Sequence, residues 1–479
     1  MAILMTAGEH GVDTEPDMSR SAWLADSEVA VFEPLSKAFL LPRSPIEDIA
    51  MYLASAGGRG LEAALELGPE ATIEVVTKAG LRGRGGAGFA TGRKWASVRN
   101  TGSGSRFVVV NVAEGEPATF KDRTLVRSDP YRVIEGAAIA AFAVGAGTIF
   151  VATKRSYRRE VDALRRAAVE LTGTGLLQEL DVIIVEGPDA YLYGEEKALL
   201  EVIEGRDPLP RMLPPYELGL FSSDSPVGWE AGVGPVSGHG KSNPTVVNNA
   251  ETLACAAHIL ANGADWFRSM GTASSPGTLI VTVVGDVKRP GVHEVEMGTP
   301  FSEVLAACGG PHAGRVFKAA LSGVSNPVLV AEAFDTPLTY EDFAARGSGL
   351  GAAGFVVFDD SVNMATVAHA VSSFLARESC GQCPPCKQGS IAITEHLAEI
   401  CEGRADDRVL GAIGALLASV TNANRCFLGS EEQIVVSSIL RSFPEDIAAH
   451  LEHRPTSTRT IQLPIIEDIT PDGVVTYSN

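Results

Sequence analysis

The stretch ESCGQCPPCKQG sets Cys380, Cys383 and Cys386 three residues apart, and Cys426 follows at a distance in NRCFLGS. A chain with this set must fold so that one short loop and one remote element close on a common centre. Three thiolates on a CxxCxxC loop plus a fourth from elsewhere suit the corners of a cubane iron-sulfur cluster. A structural zinc site usually shows two separate CxxC or CxxH pairs arranged for a tetrahedron, and zinc stands as the alternative. Disulfides are the third reading, but the seven cysteines are an odd number and the N-terminus has acidic residues where a signal peptide has basic ones. The expectation is therefore a cytoplasmic chain. Cys255, Cys308 and Cys401 lack partner spacing and read as small buried apolar residues.

At 479 residues the chain is too long for one ordinary core, and about three domains are expected. A formal charge of -20 argues against nucleic acid or an anionic membrane surface as a partner and leaves a basic protein possible. The longest uncharged run, 136–153, approaches membrane-spanning length, but Gly145 and Gly147 divide it into a small-residue helix and a β-branched strand. It reads as the interior of an α/β layer, with no direct membrane insertion.

Residues 1–45 show no clear period and form an N-terminal extension. Helical spacing starts in SPIEDIAMYLASAG, with Ser44 as the cap, and continues in GPEATIEVVTKAG. GLRGRGGAGFATGRKW follows. Its Gly83, Gly85 and Gly88 satisfy GxGxxG, yet a helix precedes them where a dinucleotide fold needs a strand. The physics of the loop survives: residues without Cβ let backbone N–H groups approach a phosphate or a flavin ring, and Arg82, Arg84, Arg93 and Lys94 add positive charge. Beyond it strand and helix alternate, which predicts a parallel sheet with ligand sites at the carboxyl ends of its strands. Asn111, Glu114 and Glu116 fall near one such end, and the turn Tyr193-Gly194-Glu195-Glu196 near another. Glu195 and Glu196 also suit the positive end of a helix dipole. A long Pro, Gly and Ser-rich connection over about 217–242 leads to a helix read from Thr245, opening with Asn248 and Asn249. From about Gly271 the pattern becomes that of a small β-grasp unit, then helices hold all four cluster cysteines, and the tail carries the strand-like TIQLPII.

Together these passages resemble the NADH-binding flavoprotein subunit of respiratory complex I and its relatives in NAD-linked hydrogenases and formate dehydrogenases. GLRGRGGAGFATGRKW resembles the family's FMN loop, NVAEGEPATFKDR the acidic loop beside it and YGEEKALLEVIEG the nucleotide loop. NPTVVNNAETLA, ESCGQCPPCKQG and Cys426 complete a set in the family's order over about 45–450. The resemblance implies an α/β Rossmann-like FMN domain (46–270), a ubiquitin-like SLBB β-grasp domain (271–358), a four-helix bundle with a [4Fe-4S] cluster (359–453) and a tail (454–479). It implies that NADH passes hydride to FMN and that single electrons reach the cluster, the cofactors carrying the chemistry and the protein setting position and potential. Gly83, Arg84, Gly85, Gly86, Lys94, Asn111, Glu114, Gly194, Glu195, Asn248 and Asn249 would hold FMN. Phe89, Glu116 and Glu196 would face NADH, and Cys380, Cys383, Cys386 and Cys426 would bind the cluster. The implied partner is a thioredoxin-like [2Fe-2S] subunit or a ferredoxin within a larger redox complex.

The chain departs from the family pattern on the nucleotide side. Ala113 stands for an Asp, Ser97 for an aromatic, Leu213 for a basic residue and Lys197 for Thr. Losing one aromatic stack and one cationic contact, each about 1 kcal/mol, weakens dinucleotide binding by about tenfold to a hundredfold. An electron-transfer or docking subunit with a degenerate NADH site, receiving electrons from ferredoxin or another protein, is the alternative.

Overall fold

The computed structural model describes residues 37–101, 104–222, 242–406, 408–454, 456–457, 459–470 and 474–477. Residues 1–36 of the extension and 223–241 of the long connection lie outside them.

Four parallel strands build the first domain: β1 (Phe107–Val112), β2 (Thr148–Lys154), β3 (Asp181–Gly187) and β4 (Thr245–Asn249). They are ordered β3-β2-β1-β4, so the chain reverses direction of winding between β1 and β4. Such a switch point leaves a crevice at the strands' carboxyl ends, where α/β proteins bind ligands. In register, Val110 lies beside Asn248 and Asn111 beside Asn249. The helix expected from Thr245 is thus a strand followed by the helix Ala250–Asn262. Thr-Val-Val is β-branched and finds a parallel partner in β1, while Asn249 ends the strand by accepting the Glu251 N–H as N-cap.

The run 136–153 divides as its glycines predict. Helix Pro130–Val144 has Asp129 as N-cap, Pro130 in its first turn and Gly145 at φ +77° as its left-handed stop. It crosses helix Ala250–Asn262 so closely that a Cβ on Gly136 would collide with the Leu253 carbonyl oxygen. Among the described residues no helix is long and apolar enough to cross a membrane.

The second sheet contains β5 (Thr278–Gly285), β6 (Gly291–Glu296), β7 (Phe317–Ser322), β8 (Leu329–Val330) and β9 (Gly354–Asp359), ordered β6-β5-β9-β7-β8. β5 and β9 are parallel, β6 and β7 run antiparallel to them, and helix Phe301–Ala307 closes a separate core through Phe301, Val304 and Leu305. This is the β-grasp arrangement. The extension's last residues join it, because Glu294 of β6 accepts the backbone N–H groups of Phe39, Leu40 and Leu41 at 2.9–3.1 Å.

The cluster region is a bundle of Met364–Glu378, Pro384–Cys401, Val409–Ser419 and Leu428–Ser442, with a fifth, short helix Pro444–Leu451. In the tail the strand lies at Ile466–Ile469, later than TIQLPII indicates, and pairs with Val475–Tyr477. Preceding residues run as an extended tie, with Pro464 accepting the Ala118 N–H at 2.8 Å and Arg459 paired to Asp286 at 2.6 Å. At the chain's other end the first described helix, Ile49–Ala54, is capped by Asp48 rather than Ser44.

Gly136→Ala forces the helix Pro130–Val144 off its partner and is expected to destabilise the protein by about 1–3 kcal/mol in urea unfolding. Gly411→Ala, in a helix with nothing near its Cβ, should be neutral or stabilising by up to about 1 kcal/mol.

Candidate functional site

The glycine loop joins helix Pro69–Ala79 to helix Thr91–Asn100 and is pinched at its base by the Arg82–Ala90 bridge and by Gly83 N–H donating to Phe89 O at 2.8 Å. Gly86 and Gly88 take φ of +123° and +60°, and a Cβ on Gly88 would meet the Tyr340 ring at 2.7 Å. A Cβ on Gly85 would lie 3.2 Å from Asn249 Cβ, so the loop rests on the switch point of the first sheet.

The loop's arginines divide by role. Arg84 is buried; its guanidinium donates to Pro276 O at 3.2 Å and to the Tyr340 hydroxyl at 3.4 Å, and its backbone N–H to Thr252 Oγ1 at 2.9 Å. Arg82 stacks over Tyr340 at 4.0 Å and pairs with Glu341. Both charges clamp the loop to the β-grasp domain. Loop spacing in the sequence could not reveal this, because side-chain direction depends on a domain about 190 residues downstream. Lys94 remains at the crevice, donating to Val247 O at 3.0 Å and to Glu196 at 3.3 Å.

At the switch point Asn111 donates to Gly194 O at 2.9 Å and accepts the Ala113 N–H at 3.0 Å. Asn248 accepts the Trp95 indole N–H at 2.8 Å, so its amide oxygen faces the helix behind the loop. Asn249 donates to Asp122 at 2.7 Å and accepts from Lys121 at 3.2 Å. Lys121 is buried, with Asp122 at 2.7 Å and Glu251 at 2.9 Å. Burial opposes its charge, but those acids outweigh burial and raise the pKa of its ammonium. Lys121, Asp122 and Glu251 stand inside the quoted NVAEGEPATFKDR and NPTVVNNAETLA passages, but nothing in the spacing of those passages singles them out from their neighbours. Glu114 accepts the N–H groups of Lys121, Asp122 and Arg123, the free donors of helix Lys121–Ser128. Burial, then the neighbouring Asp122, pushes its carboxyl up to about 7.

Glu195 is the N-cap of helix Glu196–Ile203, accepting from Lys197 N and Ala198 N at 3.0 Å. Burial raises its pKa. Phe89 is 49% exposed, with the Arg93 guanidinium 5.9 Å from its ring centre, and offers an open aromatic face. Glu116 points inward: it accepts the Val324 N–H at 2.6 Å and the Tyr191 hydroxyl at 2.7 Å. Ser97 is exposed, and Ala113 is buried against Gly194.

Cys380, Cys383, Cys386 and Cys426 line one small cavity together with Leu192, Ser379, Asn424, Arg425 and Leu428. The first two sit in the turn before helix Pro384–Cys401, Cys386 in its first turn and Cys426 just before helix Leu428–Ser442. Among the described residues no three His, Cys, Asp or Glu side chains group closely enough for a single metal ion. The four thiols line one space, three from a short loop and one from a remote helix start, the donor set that a [4Fe-4S] cluster takes. Both polar atoms of the Asn424 amide are buried without a partner beside that space. Lys197, the departure from Thr, donates from its ammonium to Arg425 O and so holds the turn of the remote cysteine. Cys255 and Cys308 are buried elsewhere, and Cys401 stands at the far end of its helix.

Beneath the cavity Glu432 is fully buried and accepts the Ser372 hydroxyl at 2.6 Å. Burial pushes its carboxyl up to about 8 from 4.5. Between those values the folded chain holds a proton that the unfolded chain releases, so stability must fall as pH rises through that window. Glu432→Gln is expected to flatten this part of the pH-stability profile, measured by urea unfolding from pH 5 to pH 8.

Comparison with known proteins follows the same division. Residues 76–258 match the model of the Nuo51 FMN-binding domain, 280–319 that of the SLBB domain and 366–450 that of the NADH-ubiquinone oxidoreductase-F iron-sulfur binding region. The chain is 36% identical over 440 residues to an NADH-quinone oxidoreductase subunit of Rhizobium meliloti, covering 88% of this chain and 99% of that one. It is 36% identical over 395 residues to the alpha subunit of the NAD-reducing hydrogenase HoxS of Cupriavidus necator, covering 80% of this chain and 61% of that one. A crystal structure of an NAD+-reducing [NiFe]-hydrogenase in the air-oxidised state superposes with a TM-score of 0.72 at 31% identity, over 85% of this chain and 67% of that one.

Proposed function

The chain belongs to the family of NADH-quinone oxidoreductase subunits built on the Nuo51 FMN-binding domain, and from this premise we propose that it is a diaphorase-type subunit that oxidises NADH through FMN and a [4Fe-4S] cluster. Bound FMN supplies hydride acceptance and the cluster supplies one-electron transfer. The observation that carries the reading is that one short segment serves both places. Leu192 lines the cysteine cavity, Gly194 receives the Asn111 amide, and Glu196 meets Lys94 beside the glycine loop.

In this reading Gly83, Gly85 and Gly86 admit the flavin closely, while Arg84 and Asn248 act through their backbone, their side chains being committed elsewhere. Lys94 supplies positive charge, Asn111, Gly194 and Asn249 line the crevice, and Glu114 and Glu195 fix its walls by capping two helices. Phe89 offers the nicotinamide nucleotide a stacking face, with Glu196 at its side. Glu116 reaches the nucleotide only by releasing Tyr191 or Val324. Cys380, Cys383, Cys386 and Cys426 bind the cluster. Electrons then pass to a thioredoxin-like [2Fe-2S] subunit or a ferredoxin, in a larger cytoplasmic redox complex.

The inward Glu116, with Ala113, Ser97 and Leu213, favours the second reading, in which the nucleotide site has drifted and a protein is the donor. An anaerobic titration of the FMN- and cluster-loaded protein separates them. Bleaching of flavin and cluster absorbance by NADH, and not by NADPH, is the expected result; reduction by dithionite alone would replace the first reading with the second. Phe89→Ala should weaken NADH binding by roughly threefold to tenfold, the loss of one stack. Lys197→Ala is expected to lower iron content on purification while FMN content stays at its original level.

A further inference from the structure

Three groups from three parts of the chain meet beside the cysteine cavity. Glu116 comes from the loop after β1, Tyr191 from the single turn Tyr191–Gly194, and Glu431 from the first turn of helix Leu428–Ser442. The Tyr191 hydroxyl lies 2.7 Å from Glu116 Oε2 and 3.3 Å from both oxygens of Glu431. The other Glu116 oxygen is fixed by Val324 N–H at 2.6 Å. Leu192 and Leu428, next in chain and one turn away, line the cavity itself.

Hydrogen-bond counting makes this arrangement incomplete without a further proton. A phenol has one hydrogen, and donating it to Glu116 leaves Glu431 facing an oxygen to which it can bond only as an acid. Among the described residues neither carboxylate has an ion-pair partner. The groups packed around them add negative charge: Glu195 caps the next helix, and Glu378 accepts the Tyr191 N–H at 3.3 Å while pairing with Arg377. The nearby cations face elsewhere: Lys154 lies toward Gly115 and Tyr157, and Lys197 pairs with Glu195 at 3.8 Å and donates to the Arg425 carbonyl. Burial pushes both Glu116 and Glu431 up, and at Glu431 the charge of Glu116 adds to the rise. The two carboxyls share the Tyr191 hydroxyl, so the protonation of one bears on the other.

We propose that Glu116, Tyr191 and Glu431 form a proton-sharing unit, with Glu431 its positioning residue, that takes up one solvent proton when the metal centre in the cysteine cavity gains one electron and returns it when the electron leaves. The pair keeps one proton throughout; the second binds to the remaining carboxylate, cancels the added negative charge and leaves with it. The inference rests on the reading that the cavity holds an iron-sulfur cluster.

The test is a redox titration of the full-length, cluster-loaded protein, following the reduced cluster by electron paramagnetic resonance at several pH values. The midpoint potential is expected to fall as pH rises, by up to about 59 mV per unit, the equivalent of a tenfold change in proton concentration for one electron. Glu431→Gln should abolish the slope while the spectrum persists. Tyr191→Phe, which keeps the ring against Phe374 at 5.1 Å, should weaken it. A pH-independent potential in the parent protein, or a slope that survives Glu431→Gln, overturns the proposal. Absence of any cluster signal in the parent is a separate failure, of the cluster reading, and removes the inference with it.

Discussion

The segment from Tyr191 to Lys197 is the constraint on which the arrangement depends. In seven residues it gives a hydroxyl to two acids, a wall to the cysteine cavity, a carbonyl to Asn111, an N-cap to helix Glu196–Ile203 and an ammonium to the Arg425 carbonyl. Such dense use is possible because the segment is a single turn leading into a helix, so successive side chains leave in different directions. A shift of this turn displaces the crevice wall and the cavity wall together. The distance between the two sites is therefore set by this turn together with its contacts to the bundle, Tyr191 to Glu431 and Lys197 to the Arg425 carbonyl.

Buried charge fixes the packing by a different means, Arg84 between two domains and Lys121, Arg123 and Arg132 within the first domain, with Arg123 also reaching the tail. Arg84, Lys121, Arg123 and Arg132 are all at least nine-tenths buried, and each is held by carbonyls or carboxylates. Buried charges are weak evidence for stability, since desolvation offsets most of their attraction. What they fix is register: a guanidinium that must reach Pro276 O leaves the glycine loop one place to rest. The tail acts similarly, crossing from Asp286 on the β-grasp domain to Arg127 on the first.

Much of this was legible in the sequence wherever backbone chemistry dictates the residue type. Glycines at 85, 86 and 88 mark close approach and left-handed backbone, CxxCxxC marks a wrapped centre, and alternating apolar segments mark the parallel sheet. Side-chain direction was much less legible. Arg84 reads as a ligand-facing charge until the β-grasp domain is placed, and Asn248 reads as a ligand until Trp95 is seen behind it. The strand Thr245–Asn249 reads as helix because its partner, β1, lies more than 130 residues earlier, and only pairing reveals it. Glu431 carries no motif, and Lys197 stands out only as a departure from one; their importance comes from what the fold brings beside them.

The central claim is that one turn couples the two centres, and a rapid-mixing experiment tests it most directly. Fully loaded protein is mixed anaerobically with NADH, frozen at intervals, and read for flavin absorbance and the reduced-cluster resonance in the same samples. The account predicts that the cluster resonance grows as the flavin bleaches, without a lag. Complete flavin bleaching with a cluster that stays oxidised until dithionite is added would contradict it.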